Sequence, residues 1–239
     1  MQRIHVALTP RDPAPADVAV VVDCIRATTT IAYALAAGYQ EVVCVAEVDE
    51  ARREAAALGA SAVLGGERRG VRIEGFHLGN SPAEYERPLA STLVLTTTNG
   101  TRAILQAAAE AEHVLIGSLA CLDRVAAAAL ELAHGGELAV RCAGVEGEAA
   151  LDDIYVAGRI VMRAAEGANG AFLTDGARTA RAVAQAYAAP LAALLDSQSA
   201  RELDGTGLES DIARCAREST LDVAPRVVEV APGRVVVAA

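Results

Sequence analysis

Two stretches of this 239-residue chain follow one recipe, and that repetition constrains the fold more than any other feature. In the first, the apolar run Val18–Val22 ends at Asp23, the polar stretch Arg26-Ala27-Thr28-Thr29-Thr30 follows, and an Ala-rich helix is predicted over Ile31–Ala37, closed by Gly38. Strand Val42–Val45, helix Val48–Leu58 and strand Ala62–Leu64, which meets Gly65-Gly66-Glu67, complete the unit. In the second, Leu93–Leu95 leads into Thr96-Thr97-Thr98-Asn99-Gly100-Thr101-Arg102 and a helix to about Ala111. Strand Val114–Ile116, helix Leu122–Ala133, strand Leu138–Cys142 and the turn Ala143-Gly144-Val145-Glu146-Gly147 then follow. Short valine-rich runs between glycines read as buried strands and alanine-rich runs as helices.

The expected fold class is therefore α/β: three α/β/α layers, with internal duplication of a strand–Thr-rich loop–helix unit around a mixed sheet. A single domain over residues 1–239 is expected, built from two similar intertwined halves, about 18–82 and 93–158, plus a helical C-terminal segment and a terminal hairpin. Ile4–Leu8 reads as a further strand. Asp152 to about Gln185 reads as helical with breaks at Gly167 and Gly170, and Ala189–Asp196 and Leu208–Arg217 continue that pattern. Arg226–Val230 and Arg234–Val237 form the hairpin around Pro232-Gly233. The stretch from Arg69 to about Pro88 is too rich in Gly, Asn and Pro for one continuous element, and loops of that length are commonly functional. Equivalent halves would set both Thr-rich loops on one edge of the sheet, at the strand C-termini where open α/β sheets bind ligands.

Composition narrows the chemistry. A net charge of -10 argues against nucleic acid, whose backbone is bound by clusters of Lys and Arg, and 3% aromatic residues leave no stacking platform. An acidic chain that binds an anion must concentrate positive charge locally, through a few arginines, helix N-termini or a metal. The chain contains no lysine, which excludes a Schiff base, a pyridoxal-phosphate anchor and a Gly-x-x-x-x-Gly-Lys phosphate loop. Cys24, Cys44, Cys121, Cys142 and Cys215 form no Cys-x-x-Cys pair and read as reduced, buried thiols of a cytoplasmic protein. No apolar run approaches the roughly 20 residues that span a bilayer, so no membrane association is expected.

Three constellations carry the chemistry. Asp23-Cys24-Ile25-Arg26 with Thr28, Thr29 and Thr30 sets a carboxylate, a guanidinium and hydroxyls at a strand end and a helix start, where backbone N–H groups face an anion. An Asp or Thr helix cap explains one or two of those residues and not the whole run. Thr96 to Arg102 repeats the recipe, although alone it would pass for an Asn-Gly turn. The third group is acidic: Glu67, Glu146 and Asp152-Asp153, oxygen ligands of the kind magnesium takes one or two of, each with an alternative reading as a solvated turn or helix-start acid. Thr30 stands where a cysteine phosphatase loop beginning at Cys24 needs Arg, and Ile25 where a dehalogenase-type phosphatase needs its second Asp. The four histidines have no His-Glu-x-x-His spacing.

These stretches, together with Leu64 to Arg68, Gly75-Phe76-His77-Leu78-Gly79-Asn80-Ser81-Pro82, Leu151-Asp152-Asp153 and Ala157-Gly158, resemble the 2-phosphosulfolactate phosphatases in order and spacing. The resemblance runs from about Val18 to Gly158 and weakens to Ser199, Asp211 and Cys215 in the tail. It implies magnesium-dependent hydrolysis of 2-phosphosulfolactate, or a closely related 2-phospho-hydroxyacid, to sulfolactate and phosphate, a step associated with coenzyme M biosynthesis. On this reading Asp23, Arg26, Glu67 and Asp153 are catalytic, and magnesium is held by Asp23, Glu67, Glu146 and Asp153 or a subset. The substrate contacts are expected from Thr28, Thr29, Asn80, Ser81, Thr98, Asn99, Gly100, Thr101 and Arg102, with Arg26 and Arg102 as the clamp. Asp23 either attacks phosphorus or orients the attacking water. The rival readings are a non-catalytic binding protein for a small phosphorylated or sulfonated acid and a phosphotransferase or mutase. The expected partner is a small anionic phosphate ester, and a homodimer through small-residue helix faces is the expected assembly.

Overall fold

A computed structural model describes residues 1–168 and 170–239. Strands β1 (Arg3–Ala7) and β2 (Val18–Val22) precede helix α1 (Ala27–Ala37), β3 (Glu41–Val45), α2 (Val48–Leu58), β4 (Ala62–Arg68) and the short β5 (Val71–Arg72). The second stretch runs β6 (Thr92–Thr96), α3 (Gly100–Glu110), β7 (His113–Gly117), α4 (Leu122–Ala133) and β8 (Glu137–Cys142). Then come α5 (Leu151–Gly167), β9 (Phe172–Leu173), α6 (Asp175–Ala186), α7 (Pro190–Leu195), α8 (Gln198–Arg201), α9 (Ser210–Cys215) and the hairpin β10 (Arg226–Ala231) and β11 (Arg234–Ala238).

Among the described residues the strands form one 11-stranded mixed sheet in the order β5-β4-β6-β3-β11-β10-β7-β2-β8-β1-β9. The C-terminal hairpin is therefore not a terminal appendage but the centre of the sheet. Outward from it stand β3, β6 and β4 on one side and β7, β2 and β8 on the other. The chain begins the first unit with β2 on one side and crosses over for β3 and β4. It begins the second with β6 and crosses back for β7 and β8.

Pairing directions correct the expectation of a common sheet edge. β11 is antiparallel to β3, β10 to β11, and β10 to β7, while β3–β6, β6–β4, β7–β2 and β2–β8 are parallel. The two half-sheets thus run in opposite directions. The hairpin meets the second half through a single register pair, Arg226 with Leu115. Twist of roughly 20–25° per strand accumulates across the sheet and turns one half against the other. The loops after β2 and β6 nonetheless meet, with Gly100 standing against Ala27 and Asp23.

Alternation along β2 explains its complete burial. Val18, Val20 and Val22 enter one core with Leu122 and Val125 of α4 and Tyr155 and Ile160 of α5, while Ala19 and Val21 enter another with Ile31 and Leu35 of α1 and Ile104 of α3. In the other half, Val42 and Cys44 join the α1/α3 core, and Val43 and Val45 pack against Ala51 of α2. Each such valine contributes about 1.5–3 kcal/mol as an upper estimate of the burial term. All five cysteines are free and buried. No helix among the described residues is long and apolar enough to cross a membrane.

Two local expectations change. Helix α1 starts at Ala27, four residues before Ile31, because its threonines bond backwards instead of fraying. Thr28 Oγ1 donates to the Asp23 carbonyl and accepts from the Asp23 N–H, and Thr29 Oγ1 donates to the Cys24 carbonyl. Phe172–Leu173, in a region read as helical, is a two-residue strand on β1. Two residues are too few to leave a period in the sequence.

Candidate active site

Helices α1 and α3 begin where β2 and β6 end, and their first turns touch. A Cβ placed on Gly100 would stand 2.5 Å from Ala27 Cβ and 2.6 Å from Asp23 Oδ2, so only glycine permits this approach. The residues before the two helices, Arg26 and Asn99, make no side-chain cap hydrogen bond. Two helix N-termini, each equivalent to about half a positive charge, therefore converge on one place in an otherwise acidic protein.

That place is a cavity of about 380 Å³, within the size range of small-ligand sites. Asp23, Ile25 and Arg26 line it from the end of β2, Thr98 and Asn99 from the end of β6, and Glu67, Arg69 and Gly70 from the end of β4. Asn80, Val145 and Glu146 come from loops, and Ser199, Glu202 and Leu203 close the far wall. Both half-sheets and the C-terminal helical segment are needed to build it.

The carboxylates differ in what holds them. Glu67 is buried and accepts from Thr98 N–H at 2.8 Å, Gly70 N–H at 2.7 Å and Thr98 Oγ1 at 3.2 Å, which fixes its orientation between two loops. Asp23 Oδ1 accepts from Ala27 N–H at 3.2 Å, and its other oxygen faces Gly100. Burial pushes the Asp23 carboxyl up to about 7, helped by the nearby charges of Asp152 and Glu67 and opposed by the Ala27 N–H and Arg26. A carboxyl that titrates near neutrality is matched to proton transfer at neutral pH.

Asp152 and Asp153 open α5 behind this wall. Asp153 accepts from Cys24 N–H at 2.8 Å and Gly144 N–H at 2.9 Å, one bond to each carboxylate oxygen. Asp152 accepts from Ser199 Oγ at 2.9 Å and Ile25 N–H at 3.3 Å. Burial raises Asp152 to about 6 and lifts Asp153 well above the usual range. The structure gives these two acids the work of tying the Asp23 loop to the Gly144 turn and to the C-terminal segment, and Asp153 does not line the cavity.

Among the expected binding groups, Arg26, Asn80, Thr98 and Asn99 line the cavity. Arg26 is buried in an ion pair with Asp211 at 2.7 Å and donates to the Gly70 carbonyl at 3.3 Å. Ser81 Oγ donates to the other Asp211 oxygen at 2.6 Å, so Ser81 acts on the site through Asp211 and Arg26. Asn80 is buried, and among the described residues its Oδ1 has no partner, which leaves an acceptor open to a water or a ligand donor. The hydroxyls of Thr28, Thr29 and Thr101 are engaged with backbone carbonyls, those of Asp23, Cys24 and Thr97, and brace the turns from inside.

Arg102 lies elsewhere. It is 59% exposed, paired with Glu47 at 2.7 Å, and outside the cavity lining. From this position, Arg102→Ala is expected to change stability by less than about 1 kcal/mol and to leave the Michaelis constant unchanged within error. A large rise in that constant would return Arg102 to the clamp.

Oxygen donors of Asp23, Glu67 and Glu146 around a water-accessible cavity suit a hard cation such as magnesium. Among the described residues no three acids, histidines or cysteines converge tightly enough to form a complete protein cage. Magnesium does not require one, since one or two carboxylates with water and substrate oxygens suffice. Glu146 sits on the far turn at φ 53, beside Gly144 and Gly147.

Sequence reasoning passed over Arg69, Ser199, Glu202 and Leu203 as cavity residues. Arg69 left a faint signal as the second arginine of Gly-Glu-Arg-Arg-Gly and Ser199 one as a tail position of the resemblance, whereas Glu202 and Leu203 come from a segment distant in sequence with no motif around them.

The family model described as 2-phosphosulpholactate phosphatase matches residues 4–230. A probable 2-phosphosulfolactate phosphatase from Thermus thermophilus is 43% identical over 204 residues, covering 84% of each chain. One from Deinococcus radiodurans is 38% identical over 229 residues, covering 95% of this chain and 93% of its own. One from Pseudothermotoga lettingae is 36% identical over 228 residues, covering 95% and 96%.

Proposed function

This chain belongs to the 2-phosphosulfolactate phosphatase family, a family of phosphoric monoester hydrolases, and from that premise we propose that it hydrolyses 2-phosphosulfolactate to sulfolactate and inorganic phosphate with magnesium. The observation that carries this reading is the meeting of two helix N-termini at one cavity beside the buried Asp23 carboxyl, which burial raises to about 7.

The phosphoryl group sits at the starts of α1 and α3, where backbone N–H groups and the Arg26 guanidinium meet its oxygens. Asn80 and Asn99 line the same cavity. In one version of the step Asp23 takes the proton of the attacking water as the ester P–O bond breaks and passes it to the departing C2 oxygen of sulfolactate; in the other Asp23 attacks phosphorus, sulfolactate leaves with a proton from solvent, and water then hydrolyses the aspartyl-phosphate. Glu67, held by three donors, and Asp23 or Glu146 would hold magnesium. When bound, the ion supplies charge neutralisation to the phosphoryl oxygens. Asp153 belongs in this proposal as a positioning residue for the Asp23 loop.

The fold reading we attach to this function is a three-layer α/β/α duplication with one site shared by its halves. Free, buried thiols support a reducing, cytoplasmic setting, and a homodimer remains the assembly we propose.

Phosphate release from 2-phosphosulfolactate tests the reading directly. Release is expected with magnesium, with loss of at least about 100-fold on chelation and recovery when magnesium is restored. Binding without release would favour the non-catalytic alternative, and transfer to an alcohol in place of water would identify a phosphotransferase.

A further inference from the structure

We infer that Arg69 recognises the acid group of the substrate farthest from phosphorus and so selects 2-phosphosulfolactate over esters that lack the sulfonate; the inference rests on the proposed function. The first observation is conformational. β4 and β5 pair Glu67 with Arg72 and Arg68 with Val71, which leaves Arg69-Gly70 as a two-residue hairpin turn. Both residues have positive φ, 54 and 77. Turns of this kind prefer Asn-Gly or Gly-Gly, and a long side chain in the left-handed region is disfavoured. An arginine in a turn conformation that suits asparagine better points to a role for its side chain.

The second observation is charge. The cavity is lined by four carboxyl side chains, Asp23, Glu67, Glu146 and Glu202, and by two arginines. Arg26 is already paired with Asp211 and bonded to the Gly70 carbonyl. Arg69 is exposed at the rim, and among the described residues its guanidinium has neither an ion pair nor a hydrogen bond, while its backbone N–H reaches Thr98 Oγ1 at 3.4 Å. The proposed substrate carries a carboxylate and a sulfonate besides its phosphate. Helix N-termini, Arg26 and magnesium serve the phosphoryl end, so the uncommitted cation at the rim is left for the distal acid. A guanidinium also suits a tetrahedral sulfonate, through two parallel N–H bonds.

Arg69→Asn is the test, because asparagine suits the turn. The variant is expected to melt at or above the wild-type temperature. Its Michaelis constant for 2-phosphosulfolactate should rise by roughly tenfold or more, with a smaller change in kcat, and Arg69→Lys should recover part of the loss. Calorimetry with sulfolactate and with inorganic phosphate makes the result independent of turnover. Sulfolactate affinity should fall about tenfold in the variant while phosphate affinity holds. Sulfolactate affinity indifferent to the substitution, or phosphate affinity falling equally, overturns the inference even if wild type releases phosphate. A wild type that neither binds nor releases phosphate overturns the proposed function itself.

Discussion

Asp23→Asn is expected to lower turnover by a factor on the order of 10³ while raising the melting temperature at pH 8. The two effects have one cause. Burial holds the Asp23 carboxyl at about 7 in the folded protein, against an ordinary value of 3.8. Between about pH 4 and 7 the folded state retains a proton that the unfolded chain has released, so stability from this group is fully present below pH 4 and is lost as pH rises through 7. Asparagine keeps the shape and the acceptor for Ala27 N–H but carries no charge to bury. The gain in stability, roughly 1–3 kcal/mol at pH 8 and several degrees of melting temperature, should vanish towards pH 4. Melts are run with chelator, so that no cation offsets the charge. Turnover within tenfold of wild type would remove Asp23 from the chemistry, and a melting difference constant with pH would contradict the burial argument.

Asp211→Ala is expected to be the most destabilising single change near the site. Asp211 and Arg26 are both buried, with side chains 2% and 4% exposed, and Ser81 bonds to the same carboxylate. Removing it strands a buried guanidinium and a buried hydroxyl, which costs about 3–5 kcal/mol and lowers the melting temperature by roughly 10 °C. Turnover should fall as well, because Arg26 loses the partner that aims it. The double variant Arg26→Ala/Asp211→Ala should recover part of the stability, as a coupled pair requires. Additive effects, or a melting temperature within 2–3 °C of wild type (less than about 1 kcal/mol), would show that the pair is not coupled.

Legibility of the sequence followed locality. β2, α2 and α4 lie over the residues expected for them, since each is an uninterrupted run whose own side chains dictate its period and whose ends are marked by a charge or a glycine. The starts of α1 and β9 were not legible, because the first depends on threonine hydroxyls finding carbonyls five residues back and the second on a partner strand 169 residues away. Among site residues, Asp23, Arg26, Glu67, Asn80, Thr98 and Asn99 stand out through residue type at strand ends and in a Gly-rich loop, and the fold brings them into one cavity. Ser81 and Asp153 have the right chemistry but bond to other protein groups, which no spacing reveals.

The repeated Thr-rich loops that mark this chain were visible from residues alone, as were the absence of lysine and the need to gather positive charge at helix starts. Each of those is a property of a short segment, and short segments carry their own hydrogen bonds and helix dipoles. Tertiary structure alone decided that the C-terminal hairpin sits at the centre of the sheet and sets its halves in opposite directions. It alone decided that Gly100 lets two helix starts touch at Asp23, that Arg102 turns outward to Glu47, and that Arg69 stands at the rim with a guanidinium that is unpaired among the described residues. These outcomes depend on which groups distant in sequence compete for the same partner, and that competition is settled only when the whole core has packed.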